Sequence, residues 1–312
     1  MRLDKYLSEK TGYSRNQITN LIKNGLVKVN QKTITKPSFK VSSEDKVDYE
    51  TKSFEEKEEY KVDFDVPIIY EDDDILVINK PSGLVIHPAP SVKEATLVDW
   101  LKAKNITLST ISGEERHGIV HRIDKETTGA LVIAKNNEAH EFLSAQLQDK
   151  TMGRIYLAII DLPLKENTEI DRPIGRNPKN RLKQAVVPNG REAKTRFLKL
   201  CGENGEIIAC KLFTGRTHQI RVHLNSINRH IVGDTLYGAK ENDDRVMLHA
   251  YILYLIHPKT KEKMTFVAPI FEDMKQKINL ICKEEDNEKL NKEYIISRFD
   301  NFSDYRVYKS TN

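Results

Sequence analysis

His121-Arg122-Ile123-Asp124-Lys125-Glu126-Thr127-Thr128-Gly129 sets one carboxylate among basic and hydroxyl side chains and leads straight into the apolar run Ala130-Leu131-Val132-Ile133-Ala134. Asp124 is thereby offered as a base or a nucleophile. The same residues also fit a plain turn, with Asp124 capping it and Thr127, Thr128 and Gly129 closing local hydrogen bonds. Arg122 stands two residues before Asp124, and on an extended segment two such side chains share a side. Strand-like runs dominate on either side: Ile68-Ile69-Tyr70, Ile75 to Ile78, Ile155 to Ile160, Ile207 to Phe213 and Ala250 to Ile256. Helical periods occur near Ala95 to Lys104, Glu138 to Gln148 and Thr217 to Asn225. No regular βαβ alternation joins them. The expected fold is therefore α+β: a mixed, largely antiparallel sheet with flanking helices and a central cleft, over residues 67–282.

The N-terminal 50 residues read as a separate small domain. Leu3, Tyr6 and Leu7, then Ile18, Leu21 and Ile22, recur at helical spacing. Ser14 with Gln17 fits a capping box, and Gly25 stands where a helix would stop in a left-handed turn. Val27 and Val29 alternate, Asn30-Gln31 suggests a tight turn, and Ile34, Phe39, Val41 and Val47 suggest further short strands. Residues 1–40 carry nine Lys and Arg against Asp4 and Glu9, whereas residues 41–66 carry four Lys against ten carboxylates. A basic module is thus followed by an acidic linker, residues 51–66, centred on Glu55-Glu56-Lys57-Glu58-Glu59. Residues 283–312 read as a charged tail, in which Tyr294, Ile295, Ile296 and Phe299 could make one packing turn.

Composition excludes several classes. No apolar run approaches the roughly 20 residues that cross a bilayer, and the polar Met1-Arg2-Leu3-Asp4-Lys5-Tyr6 lacks a secretory apolar segment. A cytoplasmic protein without membrane attachment is expected. Cys201, Cys210 and Cys282 form no Cys-x-x-Cys spacing, and His218 and His223 are five apart, so reduced thiols and no metal are expected.

The order of residues adds a resemblance. His-Arg-Ile-Asp-Lys-x-Thr-Thr-Gly resembles the active-site signature of the RluA-type pseudouridine synthases, usually His-Arg-Leu-Asp-x-x-Thr-Ser-Gly; a protein-kinase loop has no residue between Arg and Asp. Arg154-Ile155-Tyr156-Leu157-Ala158 is similar to the family's Lys-x-Tyr-x-Ala motif, with Arg at the Lys position. Further matches are Tyr70-Glu71-Asp72 to His87-Pro88, Pro173-Ile174-Gly175-Arg176, Thr214 to Leu224, Val232-Gly233-Asp234-x-Leu236-Tyr237-Gly238 and Leu248-His249-Ala250. Arg2-Leu3-Asp4-Lys5-Tyr6-Leu7, Ser14-Arg15, Ile22-Lys23-Asn24-Gly25 and Val27-x-Val29-Asn30 resemble the small RNA-binding domain named after ribosomal protein S-four.

The resemblance implies an RNA-modifying isomerase without a cofactor, working on a nucleotide extruded from its stack. Asp124 then takes the central role. Tyr156 lies against the uracil and removes a proton. Arg221, on a helix capped by Thr217, faces Asp124 as a bidentate partner. RNA contacts fall to His121, Arg122, Lys80, His87, Arg176 and Arg216 in the large domain, and to Arg2, Lys5, Arg15 and Lys23 in the small one. Family members with this layout imply large-subunit ribosomal RNA, or its precursor particle, as substrate for a monomer. Two alternatives are a non-catalytic RNA-binding or ribosome-assembly factor on the same fold, and a metal-dependent nuclease, for which no carboxylate cluster is evident.

Overall fold

A computed structural model of the protein describes residues 1–13, 15–42, 44–50, 60–89, 92–111, 117–202, 205–239, 244–300 and 306–309, the side chains of Asn16 and Gln17 excepted. The expected Ser14–Gln17 capping box and the Glu55–Glu59 run lie outside the described residues. The chain divides into two compact units, Met1–Lys61 and Val62–Asn312.

In the first unit, α1 (Leu3–Thr11) and α2 (Arg15–Lys23) bury Leu3 and Leu7, and Ile18, Leu21 and Ile22, against β1 (Val27–Val29) and β3 (Val47–Tyr49). Spacings of three and four put these residues on one helical face. Gly12 (φ 75°) ends α1 in the left-handed region, as the Gly25 turn (φ 74°) does after α2, where an L side chain is strained. Asn30 and Gln31, both with positive φ (50° and 65°), turn β1 into β2 (Lys32–Thr33), the geometry a two-residue hairpin requires.

The second unit is built on a ten-stranded sheet. Its strands are β4 (Ile68–Glu71), β5 (Ile75–Lys80), β6 (Thr128–Ala134), β7 (Gly153–Ile160), β8 (Thr168–Asp171), β11 (Lys194–Cys201), β12 (Glu206–Leu212), β13 (Leu248–Ile256), β14 (Lys263–Val267) and β15 (Arg306–Lys309). The order is β15-β8-β11-β12-β7-β13-β6-β5-β4, with β14 beside β13. Among the described residues only the β13–β6 and β15–β8 pairs are parallel, so the sheet is mixed and largely antiparallel. A separate two-stranded ribbon joins β9 (Ile174–Arg176) to β10 (Gln184–Val186).

The unbroken apolar runs of β5 and β6 have a simple cause. Alternate side chains leave opposite faces of a sheet, and here both faces are covered. Leu76, Ile78, Leu131 and Ile133 enter one core together with Leu97 and Trp100 of α3 (Leu97–Ala103). Ile75, Val77, Ala130 and Val132 enter a second core under Ala139 and Leu143 of α4 (Asn137–Asp149). Burial of a side chain such as Leu143 contributes about 2 kcal/mol. Gly129 (φ 109°) lets β6 pass so close to β13 that a Cβ there would collide with the Ala250 carbonyl oxygen. That approach fixes where the Asp124 loop leaves the sheet.

Two expectations change. Residues 283–312 are more than a charged tail: after α6 (Glu272–Ile281), α7 (Lys292–Asp300) buries Ile295 and Phe299 in the main core, and β15 extends the sheet at β8. Spacing of four between those two residues aligns them on one helical face, which the surrounding charges obscure in the sequence. The cysteines are not all reduced: Cys201 and Cys282 form a disulfide, with Cα atoms 5.4 Å apart. The end of β11 and the residue after α6 meet only in the folded sheet, so an 81-residue separation hides the pair. Cys210 is a free, buried thiol.

Candidate active site

The turn after Ile123 is closed by the Thr127 N–H donating to the Asp124 carbonyl. Thr128 begins β6, its hydroxyl 2.8 Å from His249 Nδ1. Asp124 is held on the rim of a recess shared with Arg122, Arg154, Tyr156, Arg216, His218 and Arg221. Residues separated by about a hundred positions thus converge: Asp124 from the loop before β6, Tyr156 from β7 and Arg221 from α5 (Gln219–Asn225).

Arg221 is the hinge of this arrangement. Its Nη1 lies 3.5 Å from Asp124 Oδ2, a long single contact. Its bidentate partner is Asp234, through Nε at 2.7 Å and Nη2 at 2.8 Å. The expected bidentate pair with Asp124 is corrected accordingly: two of the guanidinium's donors are committed, leaving Nη1 for Asp124. Burial opposes the charge on Arg221, but the hydrogen bonds and charge of Asp234, aided by Asp124, outweigh it and raise the pKa above its ordinary value.

Helix α5 also starts later than expected. His218 stands at its N-cap in the left-handed region (φ 57°) with no side-chain cap, so Thr217 does not cap it. Gln219 does the anchoring instead. Its Oε1 accepts from the Thr214 hydroxyl and the Arg216 N–H, and its Nε2 donates to the Lys194 carbonyl and to Thr195 Oγ1. A buried amide with every group paired fixes the preceding loop.

Tyr156 is 4% exposed on β7, between Cys210 of β12 and Ala250 of β13. Burial raises its pKa and Arg154 opposes the shift, so the group stays a phenol. Arg122 is exposed on the rim and pairs with neither Asp124 nor any other carboxylate among the described residues. Arg216, half-buried, donates Nε to the Glu192 carbonyl; burial and the neighbouring Arg191 lower its pKa.

Two expected RNA contacts, Lys80 and His121, are scaffold instead. Lys80 is fully buried, and its ammonium donates to the carbonyls of Pro81, Leu84 and Lys125 at 2.8–2.9 Å. It braces the residue next to Asp124. Burial pulls its pKa down to about 7. His121 is buried, its Nε2 accepts from the Val132 N–H, and its Nδ1 lies 3.2 Å from Arg154 Nη1. Burial first, then the Arg154 charge, hold that imidazole neutral. His87 is half-buried ahead of α3 and does not line the recess. Arg176 is exposed on the β9–β10 ribbon.

In the N-terminal unit, Lys5 and Lys23 are exposed. Arg2 and Arg15 are half-exposed, yet both donate to the buried carboxylate of Asp4 at 2.9–3.0 Å. The Arg2 hydrogen bonds, against the cost of burial, pull the Asp4 pKa down to about 2.

Sequence reasoning gave no role to Asp234, Arg154, His218 or Tyr237, all of which bear on the recess. The motif holding Asp234 and Tyr237 was visible, but nothing in its spacing tells that its carboxylate meets Arg221. Arg154 Nε is buried with no hydrogen-bond partner among the described residues. Among the described residues one grouping of metal-type ligands does occur, Asp72, Asp74 and His257, which the sequence spacing does not suggest. Asp72 already accepts from the Tyr70 hydroxyl and two backbone N–H groups, as a loop tie would.

Residues 74–226 match the RNA pseudouridylate synthase family, and residues 1–47 match the S4 domain. An uncharacterized RNA pseudouridine synthase of Helicobacter pylori is 43% identical, over 96% of this chain and 95% of that protein. A ribosomal large subunit pseudouridine synthase D of Zymomonas mobilis is 38% identical, over 88% of this chain and 91% of its own length. The chain belongs to the RNA pseudouridine synthase family. Among solved structures, a human RNA pseudouridylate synthase domain containing 1 shares the fold, with a TM-score of 0.59 at 21% identity over 77% of this chain and 96% of that one. The synthase therefore carries an RNA-binding module ahead of its catalytic unit, and its recess gathers several guanidinium groups around one accessible carboxylate. Such a basin favours a phosphodiester over a neutral solute.

Proposed function

We propose that Asp124 is the essential carboxylate of this synthase and that it acts on a uridine flipped out of its stack into the recess. In the reaction the bond from the ribose C1′ to uracil N1 breaks, the base turns, and a bond from C1′ to C5 forms; the C5 proton leaves and N1 regains one. Atoms balance within the nucleotide, so no co-reactant is needed. The observation that carries the reading is the convergence of Asp124, Tyr156 and Arg221 on one recess from three distant segments. Arg221, locked by Asp234, limits the swing of the Asp124 carboxylate towards an incoming ribose or base. Tyr156 offers a ring to the detached uracil. Its buried phenol disfavours the phenolate that proton removal would demand, so its contribution is contact with the base. Arg122 and Arg154 supply positive charge for the flipped nucleotide's phosphates.

The related ribosomal large subunit synthases support large-subunit ribosomal RNA as the substrate class, with the N-terminal unit holding structured RNA through Arg2, Lys5, Arg15 and Lys23. The test is transcribed large-subunit RNA incubated with wild-type protein and with Asp124→Asn, followed by chemical labelling of pseudouridine. Labelling should vanish in the variant while RNA binding persists. Undiminished isomerisation by Asp124→Asn would overturn the assignment, and wild-type binding without labelling would favour a non-catalytic RNA-binding role.

A further inference from the structure

The β9–β10 ribbon lies outside the main sheet. Residues 174–187 contain Arg176, Lys179, Arg181 and Lys183 and no carboxylate. At their turn Leu182 is 76% exposed, an apolar side chain amid cations. That combination suits nucleic acid: cations meet phosphates, and an apolar side chain meets the face or step of stacked bases.

The ribbon is tied to the Arg221–Asp234 pair through Tyr237. Tyr237, 4% exposed, accepts the Gln184 N–H of β10 at its phenol oxygen, 2.8 Å away. The same oxygen is 2.9 Å from His218 Nδ1 at the mouth of α5. The face of its ring lies 5.0 Å from the Arg221 guanidinium. Its backbone N–H donates to Asp234 Oδ1, the carboxylate that grips Arg221. Ile174 of the ribbon, Val222 of α5 and Tyr237 also share one small apolar cluster. Ribbon, helix and the Asp234 turn are therefore packed around a single phenol.

Resting on the reading of the recess as the isomerisation site, we propose that the β9–β10 ribbon is an RNA-docking arm and that Tyr237 is the positioning residue that couples the arm to Arg221, and thereby to Asp124. RNA seated on the arm and a correctly held guanidinium then stabilise one another. Burial keeps Tyr237 protonated, with its pKa pushed up to about 12, so the phenol remains available to His218 and Gln184 across the working pH range.

The test uses the full chain and transcribed large-subunit RNA. Arg181→Ala/Leu182→Ala, both exposed, probes the arm without touching the core. Tyr237→Phe keeps the ring over Arg221 and removes only the hydroxyl. In Tyr237→Phe the single-turnover rate at saturating RNA should fall about ten-fold with affinity changed by less than about two-fold, a coupling of ordinary size. The arm variant should weaken RNA affinity roughly five-fold and flatten its salt dependence. The two sets combined should fall short of the product of their separate effects. Hydrogen exchange of the β10 peptide should accelerate in Tyr237→Phe, a signal independent of activity. Strictly multiplicative effects, or unchanged exchange at β10, would overturn the coupling, and unaltered RNA affinity in the arm variant would overturn the docking role. Should the wild-type protein isomerise no uridine, the functional reading fails, while affinity and exchange still decide the arm. If Tyr237→Phe melts early, the arm variant alone must still lower the saturated rate for the proposal to stand.

Discussion

Two aspartates touch Arg221, and replacing each by asparagine should separate stability from chemistry. Asp234 is 1% exposed at its side chain and meets a 7% exposed guanidinium with two bonds of 2.7 and 2.8 Å. Asp124 is 20% exposed and meets it once, at 3.5 Å. Breaking a buried pair by removing one partner costs about 3–5 kcal/mol, because the remaining charge stays buried. For a catalytic unit of this size that is a fall in Tm of roughly 5–15 °C. The long, single and partly exposed contact of Asp124 contributes below about 1 kcal/mol. Asp234→Asn should therefore melt well below the wild type in a thermal scan, whereas Asp124→Asn should melt near it and lose activity. Comparable melting temperatures for Asp234→Asn and wild type would refute the view that Asp234 anchors Arg221.

Three further outcomes follow from the same geometry. Lys80 has a folded pKa of about 7 against the ordinary 10.5, so the unfolded chain binds the proton more tightly, and the group's contribution to stability is flat below pH 7 and rises towards pH 10.5. Denaturation curves of wild type and Lys80→Met should diverge in favour of wild type by about 1.4 kcal/mol per pH unit across that window, and parallel curves would count against the burial of the ammonium. Gly129→Ala should destabilise by about 3 kcal/mol or more through an unfavourable φ and a clash with the Ala250 carbonyl, measurable by urea titration; a neutral result would mean that β6 and β13 do not approach as described. Cys201→Ser should lower stability under oxidising conditions by about 2–4 kcal/mol and leave it unaltered under strong reductant, since the bond closes an 81-residue loop.

Much of the site was legible because its chemistry is carried by contiguous residues: the Asp124 loop, Tyr156 on an apolar strand, Arg221 in a cationic helix start. Pairings across the fold were not. Asp234 is an ordinary carboxylate in sequence, and only the meeting of its turn with α5 makes it the guanidinium's partner. Lys80 and His121 show the opposite error. Polar residues beside a signature motif look substrate-facing, but Lys80 ends a strand buried on both faces, and that double burial was readable in Ile75-Leu76-Val77-Ile78. The α+β sheet was legible from the density of apolar runs. The packing of Ile295 and Phe299 was not, because a narrow buried stripe is diluted by the charges around it.

The pairing of β15 with β8 carries a practical consequence for handling the protein. Arg306–Lys309 cover a row of backbone donors and acceptors that would otherwise face water at the margin of the sheet. A version trimmed after α7 would present Thr168–Asp171 as a bare template, inviting molecules to zip together side by side and precipitate even with the catalytic chemistry intact.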